Sequence, residues 1–63
     1  MNIKLQKARE KTGLTQVQVA IKANVSERSY QDYEAGRRVP NATTAILIAK
    51  ALNSTVEELF KEL

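Results

Sequence analysis

The 63-residue sequence predicts an all-α protein, a compact bundle of five short helices. Three observations point there. Gly13, the Asn24-Val25-Ser26 break, Gly36 and Pro40 divide the chain into stretches of ordinary helix length. Thr15, Ser26 and Thr55 each stand directly before such a stretch, with the short oxygen-bearing side chain that caps a helix N-terminus. Finally, no segment alternates apolar and polar residues as a half-buried strand would, and none is repetitive.

Taken in order, Asn2 to Thr12 is helix-prone with Leu5 and Ala8 on one face, and Gly13 stops it by tolerating a left-handed conformation. Thr15 opens the second helix, about 16–23. Gln18, three residues on, completes a capping box in which each side chain satisfies the other residue's free N–H. At the following break Asn24 tolerates positive φ, Val25 is an apolar plug and Ser26 caps the third helix, about 27–35, which closes at Gly36. Residues 37–41 form a basic loop, because Pro40 biases Val39 away from helix. The fourth helix, about 42–52, is rich in Ala, Ile and Leu and is expected to be largely buried. Thr55 with Glu58 forms a second capping box, opening a last helix toward the C-terminus.

Composition narrows the function. Without cysteine or histidine the chain lacks thiol chemistry, the two commonest soft metal ligands and the commonest general base. It also offers no nucleophile–base pair, so no catalytic residue, metal or cofactor is assigned and an enzyme is not expected. The first residues lack the apolar core of a signal peptide, and no stretch approaches the ~18 apolar residues of a membrane span. The expectation is a soluble, cytoplasmic, single-domain protein without a membrane partner. Charge is uneven. Residues 1–50 carry nine of the ten Lys and Arg and a net +5, whereas residues 51–63 carry a net −2. A basic body with an acidic tail suits nucleic-acid contact on one side, although a merely solvated surface has the same composition.

Helices 2 and 3 are joined by about three residues, with Ala20, Val25 and Tyr30 spaced to close a shared core. This is the layout of a helix-turn-helix, in which the second helix enters the major groove of DNA, but αα-hairpins share it. More specific is the run Gly13-Leu14-Thr15-Gln16, then Ala20, Val25-Ser26, Tyr33-Glu34-Ala35-Gly36 and Pro40. It continues with Ile48-Ala49-Lys50-Ala51-Leu52-Asn53 and Val56-Glu57-Glu58-Leu59-Phe60. Together these resemble the lambda-repressor/Cro-like (Xre-type) helix-turn-helix family over nearly the whole chain, in register. The resemblance implies a bacterial or phage-encoded transcriptional regulator that binds a double-stranded DNA operator.

It also implies roles residue by residue. Glu27, Arg28 and Asp32 would point at base edges, flanked by Gln31. Arg28 is the strongest of these, because a guanidinium bonds both O6 and N7 of guanine. For Glu27 the alternative is helix-dipole stabilisation in the first turn, and for Asp32 a pair with Arg28 four residues away. Gln16 would reach a phosphate from the first turn of helix 2, where the free N–H groups face the same anion; otherwise it is a plain helix-start residue. Thr15, Ser26, Arg37, Arg38, Asn41 and Thr43 complete the expected phosphate contacts. Arg9 and Glu34 match positions that form a structural ion pair between helix 1 and the end of helix 3. Tyr30 and Tyr33 fit the core, with hydroxyls at its rim, better than they fit base stacking.

One short recognition helix reads few base pairs, so a homodimer on an inverted repeat is expected. Ile46, Leu47 and Ile48 are consecutive and cannot all face one core; Leu47, Phe60 and Leu63 are assigned to the dimer contact. No site for a small effector is evident. A different reading is a protein-interaction module, such as an antitoxin-like partner using the same fold. The acidic residues of helix 3 keep it open. Salt-insensitive binding of a protein would favour it over steeply salt-dependent binding of DNA.

Overall fold

Every helix begins at a side chain that accepts from the backbone N–H three residues on. The computed structural model describes residues 1–61. In chain order the elements are α1 (Ile3–Thr12), α2 (Gln16–Lys22), α3 (Glu27–Ala35), α4 (Ala42–Ala51) and α5 (Val56–Phe60), with no strand among the described residues. Their caps are Asn2, Thr15, Ser26, Asn41 and Thr55, which satisfy donors that the first turn leaves free. Thr15 and Gln18 form the full reciprocal box. For Thr55 the bond present is its own half, accepting the Glu58 N–H at 3.1 Å.

The stops are equally uniform. Gly13, Asn24, Gly36 and Asn53 take left-handed conformations, with φ between 57° and 79°. After α2, α3 and α4 the chain closes with the same two backbone bonds, such as Val25 N–H to Ala20 O (3.0 Å) and Asn24 N–H to Ile21 O (3.1 Å). This pairing satisfies the carbonyls that the last turn orphans and reverses the chain within a few residues. The break at Asn24 is therefore a built turn between α2 and α3.

Helices of five to ten residues are not stable alone, so packing decides the fold. Leu5, Val19, Tyr30 and Ile48 are fully buried, and Ala20, Ala23, Tyr33, Ala49, Leu52 and Leu59 complete the core around them. α2 lies on α3 and α4, and α1 is held against α3 and α5. On α4 the buried stripe is Ala45, Ile48, Ala49 and Leu52. Ile46, turned about 200° from Ile48 at 100° per residue, is thereby sent outward and is 48 % exposed. Leu47 packs on the core edge instead. Of the three consecutive apolar residues, Ile46 is therefore exposed, Leu47 partly buried and Ile48 fully buried.

Two further details lie beyond the sequence pattern. Asn2 does more than cap α1: its Nδ2 donates to Leu59 O at 3.0 Å and its N–H to Glu34 O at 2.8 Å. One buried residue therefore ties the start of α1 to the ends of α3 and α5. Tyr30 is wholly buried, and its hydroxyl has no hydrogen-bond partner among the described residues, in place of the rim position expected for it. Burial, and secondarily the Glu34 carboxylate beside it, pushes this phenol well above its ordinary value of 10.

Two predictions follow from these backbone and burial constraints. A Cβ on Gly36 would stand 2.8 Å from the Met1 nitrogen, whereas Gly13, equally left-handed, has open space around it. Gly13→Ala is expected to lose about 1–2 kcal/mol of conformational strain alone, and Gly36→Ala measurably more, in chemical denaturation. The raised Tyr30 value means that its contribution is complete below pH 10 and declines above it, as the unfolded chain ionises while the native one does not. Wild-type stability should therefore fall by about 1.4 kcal/mol per pH unit from this group above that point. Tyr30→Phe should abolish that share of the slope. An alkaline slope unchanged in the variant would refute that assignment.

Candidate nucleic-acid interface

The turn after α2 presents α3 with one flank outward. Tyr30, Tyr33 and Glu34 are buried on its inner side, while Glu27 and Arg28 are exposed and Gln31 is half-buried. The Arg28 side chain is 83 % exposed. Gln31 Nε2 donates to Glu27 Oε2 at 3.3 Å, so these two form an i,i+4 pair on the exposed flank.

Asp32 has a different setting from the open one that its expected base contact requires. Its side chain is only 12 % exposed and is enclosed by arginines. Oδ1 accepts from Arg37 Nε at 3.0 Å and lies 3.9 Å from Arg28 Nε, while Oδ2 is 3.8 Å from Arg38 Nη1. The hydrogen bond of Asp32 thus goes to Arg37 in the following loop, while Arg28, the partner named for the pairing alternative, stands at ion-pair distance without a hydrogen bond. The reason is that the loop after Gly36 folds both arginines back over the last turn of α3. Arg38 is held further by Ser29 Oγ, at 3.3 Å, and by the Tyr33 ring, whose centroid is 5.6 Å away. Arg37 and Arg38 nonetheless remain largely exposed, so each keeps donors for an anion.

A second cluster sits on the buried, inner side of the same last turn of α3. Arg9 Nε donates to Glu34 Oε2 at 2.6 Å, its Nη2 reaches Oε1 at 3.5 Å, and its Nη1 donates to Leu14 O at 3.0 Å. The side chains are 16 % and 7 % exposed. The Glu34 hydrogen bond, outweighing burial, holds the guanidinium above its ordinary range. Gln16 joins this pair: its Nε2 donates to Glu34 Oε1 at 3.1 Å. That bond uses one of the two amide hydrogens and orients the other. The separation expected between a structural pair and a phosphate-binding amide is therefore a connected network, which reading by sequence position missed.

The remaining expected contacts are already engaged as caps. Thr15 Oγ1 accepts from Gln18 N–H, Asn41 Oδ1 from Thr44 N–H at 2.9 Å, and Ser26 Oγ both accepts from Ser29 N–H and bonds Ser29 Oγ at 3.1 Å. Thr43 is exposed on the first turn of α4. Leu47 and Phe60 are partly buried against the core, and Leu63 lies outside the described residues. Among the described residues there is no cluster of metal-ligating side chains, and no helix is long and apolar enough to cross a membrane.

A helix-turn-helix family model matches residues 5–59, which spans all of α2, the turn and α3. The chain belongs to this family, the Cro/C1-type or Xre-like helix-turn-helix proteins, which are DNA-binding transcription regulators rather than enzymes. No curated protein matches the sequence.

Breaking the Arg9–Glu34 pair leaves a buried charge without its counterion. Arg9→Ala is expected to lose about 3–5 kcal/mol, out of the roughly 3–9 kcal/mol that a 63-residue chain holds in total. Thermal unfolding followed by circular dichroism should show a largely unfolded variant at 37 °C. The Arg9→Met/Glu34→Gln double variant should lose clearly less than the sum of the singles; strict additivity would mean that the two residues are not coupled.

Proposed function

We propose that this helix-turn-helix regulator is a repressor that binds an inverted-repeat operator as a homodimer, reading each half-site with α3. The observation that carries this reading is the exposed Arg28 on α3, bordered by Arg37 and Arg38 in the loop that follows. An exposed fork on a helix end flanked by cations matches major-groove geometry, where base edges lie between two phosphate ridges.

In this scheme Arg28 bonds O6 and N7 of a guanine, and Glu27 with Gln31 meets the neighbouring base edges as a hydrogen-bonded unit. Arg37 and Arg38 contact phosphates on one side of the groove, with Asn41 and Thr43. Gln16 contacts them on the other, with Thr15 and Ser26 close by. Asp32 acts through its arginines. The amide hydrogen of Gln16 not given to Glu34 supplies the phosphate bond, which couples the buried pair to DNA docking. No chemistry on the DNA is involved; occupancy of the operator is the output.

Two-fold doubling supplies the specificity that one nine-residue helix lacks. Leu47, Phe60 and Leu63 form the contact, extended by the exposed Ile46 on α4. Sedimentation at high micromolar concentration should give twice the 7.0 kDa chain mass. Ile46→Glu should return it to the monomer.

Selection from a random duplex library at ~150 mM salt tests the whole reading, in a regime where charges are screened beyond about 8 Å. Enrichment of an inverted repeat with half-site centres about 34–36 Å apart is expected. Arg28→Ala should then relax one symmetric position, losing about 1–3 kcal/mol of discrimination there. Arg37→Ala should weaken all sequences alike and reduce the salt slope by about 1. Failure to enrich any sequence would overturn the operator reading.

A further inference from the structure

At the C-terminal end of α3 three guanidinium groups converge on one carboxylate. Asp32 contacts Arg28, Arg37 and Arg38 at 3.9, 3.0 and 3.8 Å, through a side chain far less exposed than theirs. Its backbone carbonyl also accepts from the N–H groups of Arg37 (3.0 Å) and Arg38 (3.4 Å). A single residue therefore anchors both the peptide and the head groups of the basic loop. It approaches Arg28 from Nε, which leaves the Nη edge of the fork for a base.

Two consequences follow for DNA binding. Long side chains lose rotamer freedom when they engage a ligand, and holding them beforehand reduces that loss on the ordered site. The same carboxylate lowers the charge of the cluster from +3 to +2, and so weakens the sequence-independent attraction to phosphates. One group thereby favours the geometrically matched site while reducing binding everywhere else. We infer that Asp32 is a specificity-determining positioning residue, which aligns Arg28, Arg37 and Arg38 and restrains non-specific DNA binding without touching a base. This rests on the operator reading above.

The test compares the full chain and its Asp32→Asn variant on the selected operator duplex and on a scrambled duplex of equal length, from about 50 to 200 mM salt. For the variant, binding to the scrambled duplex should tighten several-fold, with its salt slope steeper by about 1, as one more cation meets phosphate. The ratio of operator to scrambled affinity should fall about tenfold, the scale of one bidentate base contact. In an Arg28→Ala background the same change should alter that ratio much less. Asp32→Glu, which keeps the charge on a longer stem, should retain the wild-type slope while losing part of the ratio. It also serves if the Asn variant unfolds. A merely structural role would weaken both duplexes in parallel with an unchanged slope, and that result, or an unchanged ratio, would overturn the proposal. Wild-type protein that fails to distinguish the two duplexes would overturn the operator reading itself, a different outcome.

Discussion

The Arg9–Glu34 pair is the interaction on which the arrangement of the motif depends. Its partners stand 25 residues apart, on α1 and on the last turn of α3, and Arg9 also binds the Leu14 carbonyl in the α1–α2 loop. A carboxylate this deeply covered is tolerable only when its oxygens are filled, and here Arg9 and Gln16 fill them. Three helices thereby meet at one charge. The orientation of α3, and with it the direction in which Arg28 projects, follows from that junction and from the Asn2 clamp beside it.

Small size makes such devices necessary. A chain of this length buries only about 60 % of the surface its unfolded form exposes, and the core rests on ten residues, three of them alanines. Side-chain caps and left-handed closures supply order where apolar area cannot. Five caps and four left-handed residues bound the helices, so that little chain is left to be ordered by packing alone. The unpaired Tyr30 hydroxyl is the one place where this satisfaction fails among the buried side chains described. It lies beside Glu34, where it adds a polar group to the environment of the central pair.

The two charge clusters use the same chemistry for different ends. In the first, burial makes the pair rigid and takes it out of reach of solvent ions. In the second, the carboxylate is covered but the arginines are not, so their outward faces stay available to an anion while their stems are held. Salt screens the second more than the first, which separates stability from DNA affinity as ionic strength changes.

Much of this was legible in the sequence because it is local. Helix number, the fold class, Gly13, Asn24 and Gly36 as stops, and Thr15 and Ser26 as caps all follow from the conformational preferences of single residues and their near neighbours. The Arg9–Glu34 pairing was reached through family resemblance, since nothing within 25 residues of chain signals it. What only tertiary structure decided is where each side chain's second hydrogen bond goes. The Asn2 amide crosses 57 residues to Leu59, Gln16 turns to Glu34, and Asp32 closes under a loop whose path no local rule determines. The phase of α4 that sends Ile46 outward was likewise set by which neighbours offered a core. Local preference acts through short-range sterics and the first hydrogen bond of each group. The remaining bonding capacity is assigned only when distant elements meet and water is excluded between them.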